Sequence, residues 1–187
     1  MNPVRKKFSR RARVATGGAV LAVVALAGFG AVSASASAPA ANPATAAAAS
    51  ARATTTSTHL TIDAATKAAQ AALDAAEKEN QRVTVAVVDR NGNTIVTLRG
   101  DGAGPQSYES AERKAFTAVS WNAPTSQLVE RLQQAPNLKD IPGTLFLAGG
   151  VPVTAGNAPI AGIGVAGAPS GALDEKFAQA GADAVAR

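Results

Sequence analysis

The chain has no cysteine, one histidine and one methionine, and aromatic residues make up only 4% of its 187 positions. Without cysteine there are no disulfides and no thiolate ligands, which excludes zinc sites of the Cys or Cys/His type. The single histidine, His59, allows no histidine cluster either. A serine-histidine triad would have to use that residue beside a low-complexity segment, with no nucleophile elbow to match it, so hydrolase chemistry is set aside. A basic excess is also missing from most of the chain. Residues 1–38 hold Arg5, Lys6, Lys7, Arg10, Arg11 and Arg13 and no acidic residue, so the formal charge of +5 becomes −1 for everything after them. Nucleic acid and anionic membrane therefore drop out as expected partners.

Those first residues have the three-part layout of a secretory signal peptide: a basic start, the uncharged run "VATGGAVLAVVALAGFGAV", and the small-residue repeat "SASASA" with cleavage expected near Ala34, Ala36 or Ala38. "FSRRARVA" is similar to a twin-arginine export signal, although Arg13 and Ala15 depart from its hydrophobic tail. The apolar run is long enough to admit a membrane anchor as the alternative, but Gly17, Gly18, Gly28 and Gly30 dilute it, and no membrane insertion is expected once it is removed. The expected destination is outside the cell, by twin-arginine or general export. Residues 39–57, "PAANPATAAAASARATTTS", offer almost nothing large and apolar to bury and read as a flexible tether. The folded unit is then 58–187, one domain of ordinary size.

Within it, Thr61 is placed to cap a helix from Ile62 to about Asn80, whose Ala65, Ala68, Ala69, Ala72, Leu73 and Ala76 recur at helical spacing. "VTVAVVD" and "TIVTLRG" flank "RNGN" and predict a hairpin, with Asn91 and Gly92 at the positive-φ positions of a tight turn. Tyr108, Ala111, Ala115 and Val119 form an apolar stripe on the next helix, which Pro124 closes, and a shorter helix is expected over 125–134. "TLFLAGG", "VPVTA" and "PIAGIGVAGA" read as three short strands, and Ser170 caps a last helix through Leu173, Phe177, Ala180 and Val185. Five strands with hairpin connections predict an α+β domain: an antiparallel sheet with helices packed on it.

Two motifs invite chemistry. "GIGVAG", Gly162 to Gly167, fits the dinucleotide fingerprint, but that fingerprint needs a second parallel strand carrying an acidic residue, and only one helix follows. Its glycines are better read as sites of close backbone packing. "SYESAERKAF" places Glu109 and Glu112 three apart on a helix, where both carboxylates can approach one hard cation such as ferric iron. Acidic residues in a first helical turn, with Glu109 and Arg113 four apart, explain the same pattern as helix-end charge. For haem, His59 and Tyr108 are the strong axial ligands the chain offers.

Taken together, "VTVAVVDRNGNTIVTLRGDGA", "AERKAFTAVSWNAPT", "GGVPV" and "IAGIGVAGAPSGALDEKFAQAGADAV" resemble the GlcG/HbpS family of haem-degrading-domain proteins, over nearly all of residues 59–187 and most closely its exported branch. The resemblance implies a profilin-like fold with a five-stranded antiparallel sheet, assembled into a homo-oligomer, an octamer. It implies an extracellular haem- and iron-binding protein that serves as accessory to a membrane sensor histidine kinase in redox signalling. Carried over by motif, iron falls to Glu109 and Glu112, and haem contact to His59 and to Thr144 in "IPGTLF". Two other readings stay open: an enzyme that degrades haem, and a binding module for another small metabolite. No acid/base constellation is visible in the sequence, so binding ranks ahead of catalysis.

Overall fold

The computed structural model describes residues 46–186. The signal-peptide and membrane-anchor readings of residues 1–38, and the first part of the tether, lie outside them. From residue 46 to His59 every position is exposed, with one 3-10 turn at Ala51–Ala53 that buries nothing. Among the described residues no helix is long and apolar enough to cross a membrane.

Helix α1 (Ile62–Lys78) starts where Thr61 Oγ1 accepts the Ala64 amide at 3.2 Å, and all its buried side chains except Leu73 are alanines. Strands β1 (Thr84–Asp89) and β2 (Thr94–Arg99) form the expected hairpin, but with only Gly92 at positive φ. The Asp89 carboxylate organises the connection instead, accepting the Asn91 and Asn93 amides at 2.8 and 2.9 Å, so an aspartate-based turn replaces the two-residue one. Helix α2 (Ser107–Trp121) ends at Asn122 in the left-handed conformation, α3 (Thr125–Arg131) is shorter than the expected 125–134, and β3 (Gly150–Ala155), β4 (Ala158–Ala166) and α4 (Gly171–Val185) follow. Ser170 caps α4 as expected, its Oγ accepting the Leu173 amide at 3.3 Å.

The sheet is antiparallel with strand order β2-β1-β4-β3, so it has four strands and not five. The missing strand is "TLFLAGG", whose backbone finds partners outside any ladder until Gly149. The Leu145 amide donates to Thr117 Oγ1 at 2.7 Å and the Gly149 amide to Glu175 Oε2 at 3.2 Å. Its largest side chain, Phe146, turns away from the sheet to pack with Leu128 and meets the Trp121 ring edge-on at 5.8 Å. An apolar run bounded by Gly and Pro serves here as a buried loop, because side-chain oxygens satisfy its amides.

Helices α1 and α4 cover one face of the sheet and α2 the other. The two-residue period of β1 and β4 divides their side chains accordingly. Val85, Val87, Ile163 and Val165 enter the large core under α1 and α4, whereas Ala86, Val88 and Ala166 meet α2. On that α2 side, Ala86 stands opposite Gly164 and Val88 opposite Gly162 in the register. A Cβ on Gly162 would sit 2.1 Å from the Ala115 carbonyl oxygen, and one on Gly164 2.0 Å from that of Ala111. These glycines let the helix backbone rest directly on the sheet, which is the packing role read from "GIGVAG".

Candidate functional site

Helix α2 carries all the charge of interest, and its position on the glycine strand fixes which side each charge faces. Inward, with Ala111, Ala115 and Ala118, lies Lys114, only 4% exposed. Its Nζ donates to Asp174 Oδ2 at 2.7 Å and to the Val165 carbonyl at 3.0 Å, while Asp174 Oδ1 accepts the Ala168 amide at 3.0 Å. Burial holds the Asp174 carboxyl above its ordinary value, against the opposing pull of the Lys114 hydrogen bond and charge and of the Ala168 amide. Sequence reasoning did not find this pair, because 60 residues separate Asp174 from Lys114. The signal was its place at helical spacing from Ala111 and Ala118.

A second buried node was equally silent. Glu175, just past the first turn of α4, accepts the Ser126 amide at 2.9 Å as well as the Gly149 amide, while Gly150 donates to Thr125 Oγ1 at 2.8 Å. These bonds tie α3, α4 and the start of β3 together. Over them opens a cavity of about 610 Å³ with apolar Val129, Leu147 and Ala172 in its walls and Lys114 and Asp174 at its base. A smaller hollow of about 280 Å³ on the other side of Leu147 shares Lys114, Leu147, Ala168 and Asp174 with it.

Outward, α2 presents Glu109, Glu112 and Arg113. Glu109 is exposed and its carboxylate lies 3.6 Å from Arg113 Nη1, the i,i+4 pair expected from the spacing. Glu112 is half-buried and accepts the Thr97 hydroxyl of β2 at 3.2 Å, so the two glutamates lean toward different neighbours. Among the described residues no three His, Asp or Glu side chains gather closely enough to enclose a metal ion. Two carboxylates on one open helix face therefore offer a hard cation a partial ligand set, to be completed by water or by another chain. Tyr108, assigned to the apolar stripe of this helix, is instead exposed on its first turn. The buried stripe runs through Ser107, Ala111, Lys114, Ala115, Ala118 and Val119, because Ser107 and Lys114 find internal hydrogen bonds.

The haem candidates occupy contrasting settings. Thr144 is 3% exposed, its hydroxyl donates to the Ile141 carbonyl at 2.7 Å, and its own carbonyl accepts Arg113 Nη2 at 2.8 Å. A ligand reaches that hydroxyl only if the 141–147 loop opens. His59 is exposed and shares a hydrogen with Ser57 Oγ at 2.7 Å through Nε2, leaving the other ring nitrogen without a protein partner among the described residues. It lies near enough to the hairpin for its charge to act on Asp89. Burial pushes that carboxyl up, but the hydrogen bonds from Asn93 and Asn91 outweigh it, and His59 adds to a net value below the ordinary one. The Phe116 ring packs between hairpin and loop: a Cβ on Gly92 would meet it at 2.8 Å and one on Gly143 at 3.5 Å. As a fit to haem, an accessible imidazole suits the metal, whereas the threonine is available only after rearrangement.

Comparison with known proteins places these features in context. The family profile described as "Haem degrading protein HbpS-like" matches residues 60–183. The crystal structure of HbpS is 77% identical, with a TM-score of 0.73, over 73% of this chain and 97% of that chain. A Streptomyces reticuli HbpS double mutant, with two glutamates three positions apart changed to aspartate, is 74% identical with the same TM-score of 0.73, over 78% of this chain and 97% of that one. At 26% identity, the structure of a PduOC:heme complex matches with a TM-score of 0.63, over 68% of this chain and 95% of its own.

Proposed function

Because the chain belongs to the HbpS-like family, we propose that it is an exported haem- and iron-binding protein that acts as an accessory haem and redox sensor for a membrane histidine kinase. The observation that carries this reading is the 77% identity to HbpS across nearly the whole of that protein. Haem as the ligand class gains support from the haem complex of PduOC, a more distant relative of the same fold. When bound, haem supplies a redox-active iron centre. The chain's own part is to offer the His59 imidazole at the surface and, with the 141–147 loop open, the Thr144 hydroxyl. Iron ions have their best-presented carboxylates in Glu109 and Glu112, whose three-residue spacing equals that of the glutamates changed in the Streptomyces reticuli protein. Secretion, an octameric assembly and the kinase partnership belong to the same proposal.

Haem titration of the purified protein, with oligomeric state recorded alongside, tests it. A saturable Soret band is expected, weakened in His59→Ala or Thr144→Ala. Unchanged affinity in both variants would move the haem site while sparing haem binding; absence of any saturable band would remove the function. The family's description as haem-degrading favours a second reading, turnover of haem. It is separated by adding a reductant with and without oxygen: degradation demands a Soret loss that needs oxygen and folded protein together. With a single histidine, exposed and near the hairpin carboxylate Asp89, capture and release suits these residues better than catalysis.

A further inference from the structure

The buried ion pair of α2 calls for an explanation that stability alone does not supply. Two well-packed apolar side chains in place of such a pair are often as stable or more so, because desolvation offsets the Coulombic gain. Lys114 and Asp174 nevertheless line a cavity of about 610 Å³ walled in part by apolar side chains. An ammonium has three protons, and Lys114 gives two of them to Asp174 and Val165. The third has no protein acceptor among the described residues. Lys114 lines both the larger cavity and the hollow next to it, which also share Leu147, Ala168 and Asp174.

We propose that this cleft binds a small neutral molecule carrying a carbonyl or hydroxyl oxygen, which accepts the third Lys114 proton while its carbon frame rests on Leu147, Val129 and Ala172. Among side chains, charge favours a neutral ligand over an anion, against the N-terminal turn of α4, whose Ser170, Gly171 and Ala172 also line the cavity. Asp174 offsets Lys114 at the base, Glu130 stands in the wall without an ion-pair partner among the described residues, and Glu175 lies behind Ser126, so carboxylates outnumber the one cationic side chain. Size agrees, since about 610 Å³ falls within the span of roughly 300–1,000 Å³ common to small-molecule pockets. The apolar side is ready-made: Leu147 is 56% exposed and Val129 is exposed beside it. This site is separate from Glu109, Glu112 and His59, while its wall residue Leu147 lies in the same 141–147 loop as Thr144.

The test follows the ammonium resonance of Lys114 in ¹⁵N-lysine-labelled full-length protein, titrated with hydroxyacetone and, separately, with pyruvate. The two probes share a three-carbon ketone frame and differ in charge. Hydroxyacetone is expected to shift the signal saturably with a Kd on the order of 1 mM, and pyruvate to bind at least about tenfold more weakly. Ala172→Trp, at an exposed position in the cleft wall, is expected to abolish the hydroxyacetone shift without changing the thermal unfolding curve or the haem titration. The proposal is overturned if hydroxyacetone gives no saturable shift, if pyruvate binds as tightly, or if Ala172→Trp leaves the shift intact. It is equally overturned if that variant loses haem, which would assign the cleft to haem itself.

Discussion

The two sides of α2 treat charge in opposite ways. Lys114 faces the sheet, is locked by Asp174 and Val165, and has one geometry open to it. Glu109 and Glu112, on the other side, have weak or single partners, water at hand and freedom to change them. A charge inside the fold must be satisfied by the fold, since leaving it alone costs several kcal/mol, whereas a charge at the surface is satisfied by solvent at almost no cost. The difference separates what the molecule needs in order to stand from what it can lend to a ligand.

Substitutions on each side can break that contrast. Lys114→Met should cost about 3–5 kcal/mol in urea denaturation, because Asp174 loses its partner while still buried. The deficit should shrink as pH falls, because the stranded carboxyl, already held above its ordinary value, takes up a proton. A neutral or stabilising effect would mean that the pair is not needed for folding. Gly164→Ala comes next. Its new Cβ would press on the Ala111 carbonyl at 2.0 Å, and lifting the helix should cost about 1–3 kcal/mol without any effect on surface ligands.

Acid sharpens the comparison through two carboxyls of opposite sign. Asp89 is held below the unfolded value of 3.8, so its contribution is complete above that pH and is lost as pH falls through its folded value. In Asp89→Asn, stability should therefore decline less steeply on acidification. Asp174 is held above 3.8, so the folded protein keeps that proton longer than the unfolded chain, and its contribution falls as pH rises from 3.8 through the folded value. Smallest in stability, and most telling for function, is the double change Glu109→Gln and Glu112→Gln. Unfolding should move by less than about 0.5 kcal/mol, while ferric iron binding measured by calorimetry should disappear. Retained iron would return both glutamates to helix-end charge.

Much of the architecture was legible because it is written in local patterns. Thr61 and Ser170 announced helix starts through oxygens that satisfy backbone amides a few residues on. The glycines of "GIGVAG" announced close backbone packing, and the contact of Gly162 and Gly164 with α2 supplies it. "TLFLAGG" was misread because an apolar run between breakers looks the same whether its amides meet a neighbouring strand or Thr117 and Glu175. Tyr108 was misread as core because the helix is turned so that Lys114, and not the tyrosine, points at the sheet. For the candidate site, spacing identified Glu109 and Glu112, and composition singled out His59. Only its helical spacing from Ala111 and Ala118 distinguished Lys114 from its neighbour Arg113, although one is buried and the other reaches the Thr144 carbonyl.

The sequence by itself therefore determined the ligand inventory and the order of elements: no thiolate, one imidazole, a glutamate pair, and a helix-flanked antiparallel sheet. These depend on residue identity and on contacts between near neighbours in the chain. Tertiary structure alone decided which buried charges are paired, that Thr144 is buried, and that a donor proton of Lys114 is left over beside a cleft. Those facts depend on residues 31, 51 and 60 positions apart meeting in space. Such meetings are fixed by how the core packs as a whole, and no short stretch of sequence encodes them.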